Sequence, residues 1–216
     1  MTSSRRFRAT DFLILIISVV ALVSVGIHQA SARVYRPAQA DLVETVRFST
    51  DGHPKSKGVN LVMRYPASWK SKESEFPNIV QMFVSENGVG LQMAQIWTKK
   101  IPGHENISRA EAEEFLWEDP SFFLPRLSNS ISFQKTEVNG EPAALLEFTT
   151  VRSVGGRSMM MRNLSLHFFH AGTWINISYS VADAEDSGPD VDVTFQNFRN
   201  LFVSMMSTIV LPDKWK

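Results

Sequence analysis

The sequence contains no cysteine in its 216 residues. That excludes a disulfide scaffold, a thiolate metal site, a cysteine nucleophile and a cysteine-borne lipid anchor. It has no surplus of charge either: 22 basic residues face 22 acidic ones, a balance that argues against a dedicated nucleic-acid partner. Repeats and low-complexity tracts are missing, and with 44% apolar residues the composition is that of an ordinary folded domain. The common catalytic signatures are missing as well. Gly155-Gly156-Arg157-Ser158 lacks the following glycine of a nucleophile elbow, so Ser158 reads as a loop residue. His104-Glu105 has no second histidine at the spacing of a zinc-protease helix, and Gly88-Val89-Gly90 lacks the third glycine of a dinucleotide fingerprint. The resulting expectation is a protein that is not an enzyme and carries no cofactor.

Long apolar runs are scarce too, with one exception. Residues 12–27 carry no charge and only Ser18 and Ser24 as polar interruptions, behind Arg5, Arg6 and Arg8. As a helix the run reaches roughly 24 Å at about 1.5 Å per residue, slightly short of the roughly 30 Å hydrocarbon core. The arginines hold the amino end in the cytoplasm, so the remainder is delivered across the membrane. Ala30-Ser31-Ala32 and Ala38-Gln39-Ala40 are small-x-small sequences suited to signal peptidase. Two outcomes stay open: a single-pass inner-membrane protein with its C-terminal domain in the periplasm, or a secreted or periplasmic protein cleaved near Ala32. The expected organisation is a basic cytoplasmic tip at 1–11, a signal-anchor or signal-peptide helix at 12–27, a linker at 28–42 and one domain at 43–211. Residues 1–40 hold five of the 22 basic and one of the 22 acidic residues, so the exported part is mildly acidic, 17 against 21.

Beyond the linker, strand patterns occupy 43–49, 59–65, 79–85 and 89–97, the last two joined by Glu86-Asn87-Gly88, a strong hairpin cue. Ser108-Arg109-Ala110-Glu111 matches a capping box and opens a helix whose apolar stripe is Ala112, Phe115 and Leu116, limited by Pro120. Residues 131–138 and 143–151 flank Asn139-Gly140 as a second hairpin, and 159–169 and 174–181 form a third. Phe195, Phe198, Phe202, Met205 and Ile209 repeat at steps of three and four, which predicts a closing helix. The expected fold class is α+β, an antiparallel β-sheet with helices packed on its faces.

Local wording adds a resemblance. Gly58-Val59-Asn60-Leu61-Val62-Met63-Arg64-Tyr65-Pro66-Ala67-Ser68-Trp69, the capped helix after the fourth strand, Val138-Asn139-Gly140-Glu141-Pro142-Ala143, and the closing helix from Phe195 to Ser207 occur in the order of the PsbP-like and DcrB-like α/β/α sandwich family, which the chain resembles over residues 45–210. The resemblance implies non-enzymatic adaptors: an extrinsic subunit of photosystem II, a Ran-binding nuclear import factor, and secreted or lipid-anchored bacterial proteins. Bacterial members often carry a lipobox cysteine, which is missing here, so anchoring would fall to residues 12–27. The resemblance transfers no binding residue to a position of this chain.

Few side chains suggest chemistry. His167 and His170 are the one close histidine pair, but a spacing of three on a strand points them to opposite faces. Asp183, Glu185, Asp186, Asp190 and Asp192 have enough oxygens for a cation without EF-hand spacing, and they equally suit the positive end of the helix that follows. Met63, Met82 and Met93 fit a core better than a copper site. The triplet Met159, Met160, Met161 must face both ways on a strand, so at least one leaves the core. Trp117, at a helix end, is expected to be partly exposed, and tryptophan is favoured at interfaces. Asn106, Asn163 and Asn176 match N-x-S acceptors and carry no weight in strands.

The leading expectation is therefore a non-catalytic exported protein, membrane-anchored through residues 12–27, that binds another protein as an accessory or assembly subunit of an envelope complex. Trp117, Met159, Met160 and Met161 are the possible protein contacts. A periplasmic small-ligand or metal-ion binding protein is the alternative.

Overall fold

The computed structural model describes residues 44–215 apart from 86–91, 127, 155–156 and 185–187. The membrane segment at 12–27, the linker, the Asn87-Gly88 turn and the middle of the acidic stretch lie outside the described residues. The elements run β1 Thr45–Ser49, β2 Val62–Pro66, β3 Trp69–Lys72, β4 Ile79–Ser85, β5 Gln92–Lys100, α1 Arg109–Trp117, β6 Ser128–Val138, β7 Glu141–Val154, β8 Arg157–His170, β9 Thr173–Ala184 and α2 Gly188–Ser207. The fold is α+β, as the strand and helix patterns predict. β3-β4-β5-β9-β8-β7-β6 form a seven-stranded sheet in which every neighbouring pair is antiparallel, and β1-β2 form a separate two-stranded sheet.

Each helix lies on its own face of the large sheet. α2 lays Phe195, Phe198, Leu201, Phe202 and Met205 against Leu164, Leu166 and Phe168 of β8 and Ile175, Ile177, Tyr179 and Val181 of β9. The β1-β2 hairpin joins the same cluster through Leu61, Met63 and Tyr65, with the Phe83 ring 4.3 Å from that of Tyr65. On the opposite face α1 buries Ala112 and Leu116 with Phe123, Leu146, Phe148, Phe169 and Trp174. The capping box forms as expected: the Ser108 hydroxyl accepts from the Glu111 amide, and Glu111 accepts from the Ser108 amide at 2.8 Å. The hydroxyl contact holds the Glu111 carboxyl below its ordinary range.

Three details depart from the sequence reading. β3 is an additional strand on the edge of the sheet, too short to show a period beyond the buried Trp69. Ser158 is not a loop residue: it opens β8 opposite Ser153, because Gly155-Gly156 separate two pattern-matched strands that continue past the expected ends. The closing helix ends at Ser207, where the resemblance puts its end, so Ile209, which keeps the helical spacing, lies beyond it. There Thr208 donates its hydroxyl to the Met205 carbonyl at 2.7 Å and accepts the Arg64 amide at 2.8 Å, and Val210 bridges to Val62. Ile209 is still buried, carried into the core by this turn.

Candidate functional site

The strand registers fix which side chains share the α1 face. Trp174, Asn176, Ser178, Ser180 and Ala182 alternate along β9, and Met161, Asn163, Ser165, His167 and Phe169 lie beside them on β8. Trp97, Gln95 and Met93 of β5 continue the rows on one side, and Leu146, Phe148, Thr150 and Arg152 of β7 on the other. One end of this face is aromatic, its middle is polar, and its far end carries Met161, Thr150 and Arg152. α1 and the segment after it cover the aromatic end with Leu116 and Phe123.

The polar middle is organised as paired side chains. The Ser180 hydroxyl donates to Asn163 Oδ1 at 2.7 Å, and the Ser165 hydroxyl donates to Asn176 Oδ1 at 2.9 Å. Trp97 Nε1 donates to Gln95 Oε1 at 3.1 Å. Asn163, Ser165, Ser180, Gln95 and Thr150 are all buried. Burying such groups without partners costs free energy, so the ladder of paired amides and hydroxyls is what allows a polar floor here. A cavity of about 80 Å³ opens over it, bordered by Phe123 and Pro125 above and by Trp97, Phe148, Met161 and Arg152 at its sides. No aspartate or glutamate lines it, and Arg152 is the one charged lining residue among those described.

His167 closes the aromatic end. Its ring centroid lies 4.6 Å from that of Phe123 and 5.5 Å from that of Trp174. Complete burial lowers its pKa to about 3, so it is neutral at ordinary pH, with one ring nitrogen a donor and the other an acceptor. Neither ring nitrogen has a hydrogen-bond partner among the described residues. His170 points to the other face, as the spacing requires, with Nδ1 3.1 Å from Glu141 Oε1, which also meets Lys214 at 3.0 Å. Among the described residues no group of three or more His, Asp or Glu side chains could hold a metal ion. Asp192, the described end of the acidic stretch, pairs with Arg162 at 2.9 Å.

The residues singled out by sequence do not gather into one site. Trp117 is half-buried against the α1 cluster, donates Nε1 to the Ala143 carbonyl at 2.9 Å, and has Lys135 Nζ 5.2 Å from its ring centroid. Met161 is buried in the cavity wall. Met159 and Met160 are half-buried near the far end of the β7-β8 hairpin. Met160 pairs with the exposed Val151, and Met159 with Arg152. Asn163 and Asn176, set aside as N-x-S matches, are instead central to the polar floor. Their signal was the run of polar residues at every second position, Asn163-Ser165-His167 and Asn176-Ser178-Ser180, which reads equally well as the solvent side of a half-buried strand.

Neither a protein-family model nor a curated relative matches the chain. Solved structures similar to it include PA94 of Pseudomonas aeruginosa, a regulator of unknown function, at 13% identity and a TM-score of 0.38 over 69% of this chain and 90% of that one. Mog1p, a Ran-binding protein of Saccharomyces cerevisiae, is 7% identical with a TM-score of 0.47 over 78% and 95%. LpqN of Mycobacterium tuberculosis, involved in cell envelope biogenesis, is 12% identical with a TM-score of 0.41 over 77% and 90%. These are likenesses of fold, and no argument about function rests on them.

Proposed function

We propose that the chain is an exported member of the PsbP-like and DcrB-like group that binds rather than catalyses, anchored in the inner membrane by residues 12–27. Its periplasmic domain acts as an accessory or assembly subunit that contacts another protein of an envelope complex through the far end of the β7-β8 hairpin. One observation carries this reading: Val151 is 39% exposed and sits directly across the ladder from half-buried Met160, an apolar pair at the end of a hairpin. Methionine suits such a contact because its flexible thioether adapts to irregular partners. Met159, next to Met160 on β8, extends the candidate surface, whereas Met161 is buried and Trp117 lies towards the opposite end of β7. The uncharged run behind three arginines supports the membrane placement.

The experiment is native electrophoresis of the full chain from membranes in mild detergent. The wild type is expected to migrate in a discrete higher-mass complex, and Val151→Glu or Met160→Glu to migrate alone while fractionating with the membrane as before. A wild type that migrates alone, or variants that leave the complex intact, would overturn the reading.

A second reading, a periplasmic small-ligand binding protein, is favoured by the cavity on the α1 face, where buried amides and hydroxyls border aromatic rings and one guanidinium.

A further inference from the structure

Of the charged groups outside the proposed protein contact, most have a structural explanation that exhausts them. The buried pair of Glu147 and Arg162, at 2.6 Å and extended by Asp192 and Arg199, ties β7 and β8 to α2. The Glu141 contacts with His170 and Lys214 tie down the last turn. One pair of cations has no such role. Arg47 of β1 and Arg64 of β2 stand directly across the ladder from each other, both exposed, and like charges directly opposite destabilise a strand pair. Arg64 donates to the Thr45 hydroxyl at 3.1 Å, but among the described residues neither guanidinium forms an ion pair, not even with Glu44 or Asp51, the carboxylates that flank β1.

We propose that the outer face of the β1-β2 hairpin docks on the anionic phosphate headgroups of the membrane in which the chain is anchored. This inference rests on the membrane placement proposed above. Strand alternation separates the two faces of the hairpin. Phe48, Met63 and Tyr65 turn into the α2-side core, Arg47, Val62 and Arg64 turn outward, and Val210 joins them through its bridge to Val62. Charge complementarity selects the partner. Residues 41–216 hold 17 basic and 21 acidic residues, so an anionic surface repels the domain as a whole and attracts it where cations stand without carboxylates. A guanidinium fork matches a phosphate with two parallel hydrogen bonds, and basic side chains within a screening length of an anionic membrane are drawn to it. The tether permits the contact: sixteen residues separate the apolar run from Glu44, a reach of at most about 60 Å. Val210, 40% exposed, offers apolar surface beside the arginines. Trp215, 74% exposed, follows it at the end of the domain where Lys214 meets Glu141, and an indole suits the headgroup level. The site also leaves the proposed protein contact uncovered. Asn139 holds Ile209 at 2.9 Å and Leu211 at 3.2 Å, so Val210 lies by the Asn139-Gly140 turn, and β7 runs from that turn to Val154 over 14 residues, roughly 45 Å. The docking face and Val151 therefore belong to opposite ends of β7.

The chain has no cysteine, so a single introduced one carries a polarity-sensitive fluorophore to a chosen site. The test places the full chain in nanodiscs of phosphatidylcholine alone or of equal parts phosphatidylcholine and phosphatidylglycerol, with the label at Val210→Cys or, as a reference, at Val193→Cys near the start of α2. The Val210 label is expected to shift to shorter wavelength in the mixed discs, and the Val193 label to stay in place. The ratio of docked to undocked protein should fall about fivefold for Arg47→Gln or Arg64→Gln and about thirtyfold for the two together, with the lysine variants close to the parent. Raising the salt from about 0.1 M to about 1 M, which shortens the screening length from about 10 Å to about 3 Å, should erase the shift. The lipid comparison is made with both arginines in place and so stands even where an arginine variant fails to fold. If the Val210 label reads the same in both lipids, or the double variant keeps the shift, the docking inference is wrong while the anchor survives. A Val193 label that shifts as far as the Val210 label places the contact elsewhere and overturns it too. If the chain elutes apart from discs of either composition, the anchor fails and the inference fails with it.

Discussion

The two faces of the seven-stranded sheet are built from the same strands by opposite rules. Under α2, Leu164, Leu166 and Phe168 of β8 and Ile175, Ile177, Tyr179 and Val181 of β9 are apolar or aromatic side chains, and the 20-residue helix supplies a matching row of phenylalanines. Under α1, the central intervening positions of those strands are asparagine, serine and histidine, and the nine-residue helix covers one end only. Apolar packing needs no particular partner and can therefore be sealed. A polar floor has to be paired atom by atom, and where the pairing leaves room, a cavity remains. The stability of the domain accordingly resides on the α2 side, and the proposed protein contact lies at the hairpin end.

The sharpest way to break this contrast is to open the sealed face. Phe202 is fully buried, with its ring 5.1 Å from Tyr179, 6.0 Å from Phe198 and 6.1 Å from Phe195. Phe202→Ala should cost about 3–5 kcal/mol in urea unfolding. A loss below 1 kcal/mol would mean that α2 does not hold the core.

Next in size is a pH effect on the other face. His167 has a folded pKa of about 3 against an ordinary 6.5, so between those values the unfolded chain binds a proton that the folded one refuses. Stability from this group is complete above pH 6.5 and falls by about 1.4 kcal/mol per unit as the pH drops towards 3. His167→Phe removes the proton site, so the loss between pH 7 and pH 5 should be about 2 kcal/mol smaller than in the wild type. Parallel profiles for the two proteins would contradict the buried, neutral histidine.

Breaking the floor itself should cost less. Asn163→Ala removes the acceptor of the Ser180 hydroxyl and should destabilise by about 1–2 kcal/mol, with no change in the thermal behaviour of α2 resonances. Smallest is the cap: Ser108→Ala should cost about 1 kcal/mol and increase amide exchange in the first turn of α1. A short helix with one covered end depends on that cap more than α2 depends on any single terminal contact.

How much of this was legible in the sequence follows the same division. The α2 face could be read directly, because Phe195, Phe198, Phe202 and Met205 keep helical spacing and their partners keep strand alternation. The capping box and the Asn139-Gly140 hairpin were readable for the same reason, since their chemistry is local. The α1 face was not. Asn163 and Ser180 are 17 residues apart in sequence, and only the β8-β9 register brings them within 2.7 Å. Arg152 lies just beyond the strand expected at 143–151, and only the continuation of β7 to Val154 places it on this face. Met160 stands out because three successive methionines cannot all face inward, yet its pairing with Val151 depends on β7 and β8 continuing to Val154 and Arg157, beyond the ends that the strand patterns mark.

The central claim is that the sealed face holds the fold while the hairpin end does the binding, and photo-crosslinking in intact cells tests it most directly. A photoreactive residue placed singly at Val151 and Met160, and at Val193 and Val203 on the outer surface of α2, samples both regions with exposed or half-buried positions. The account predicts one discrete adduct of the same mass from Val151 and Met160 and none from the α2 positions. Adducts from Val193 or Val203 with none from the hairpin would contradict it.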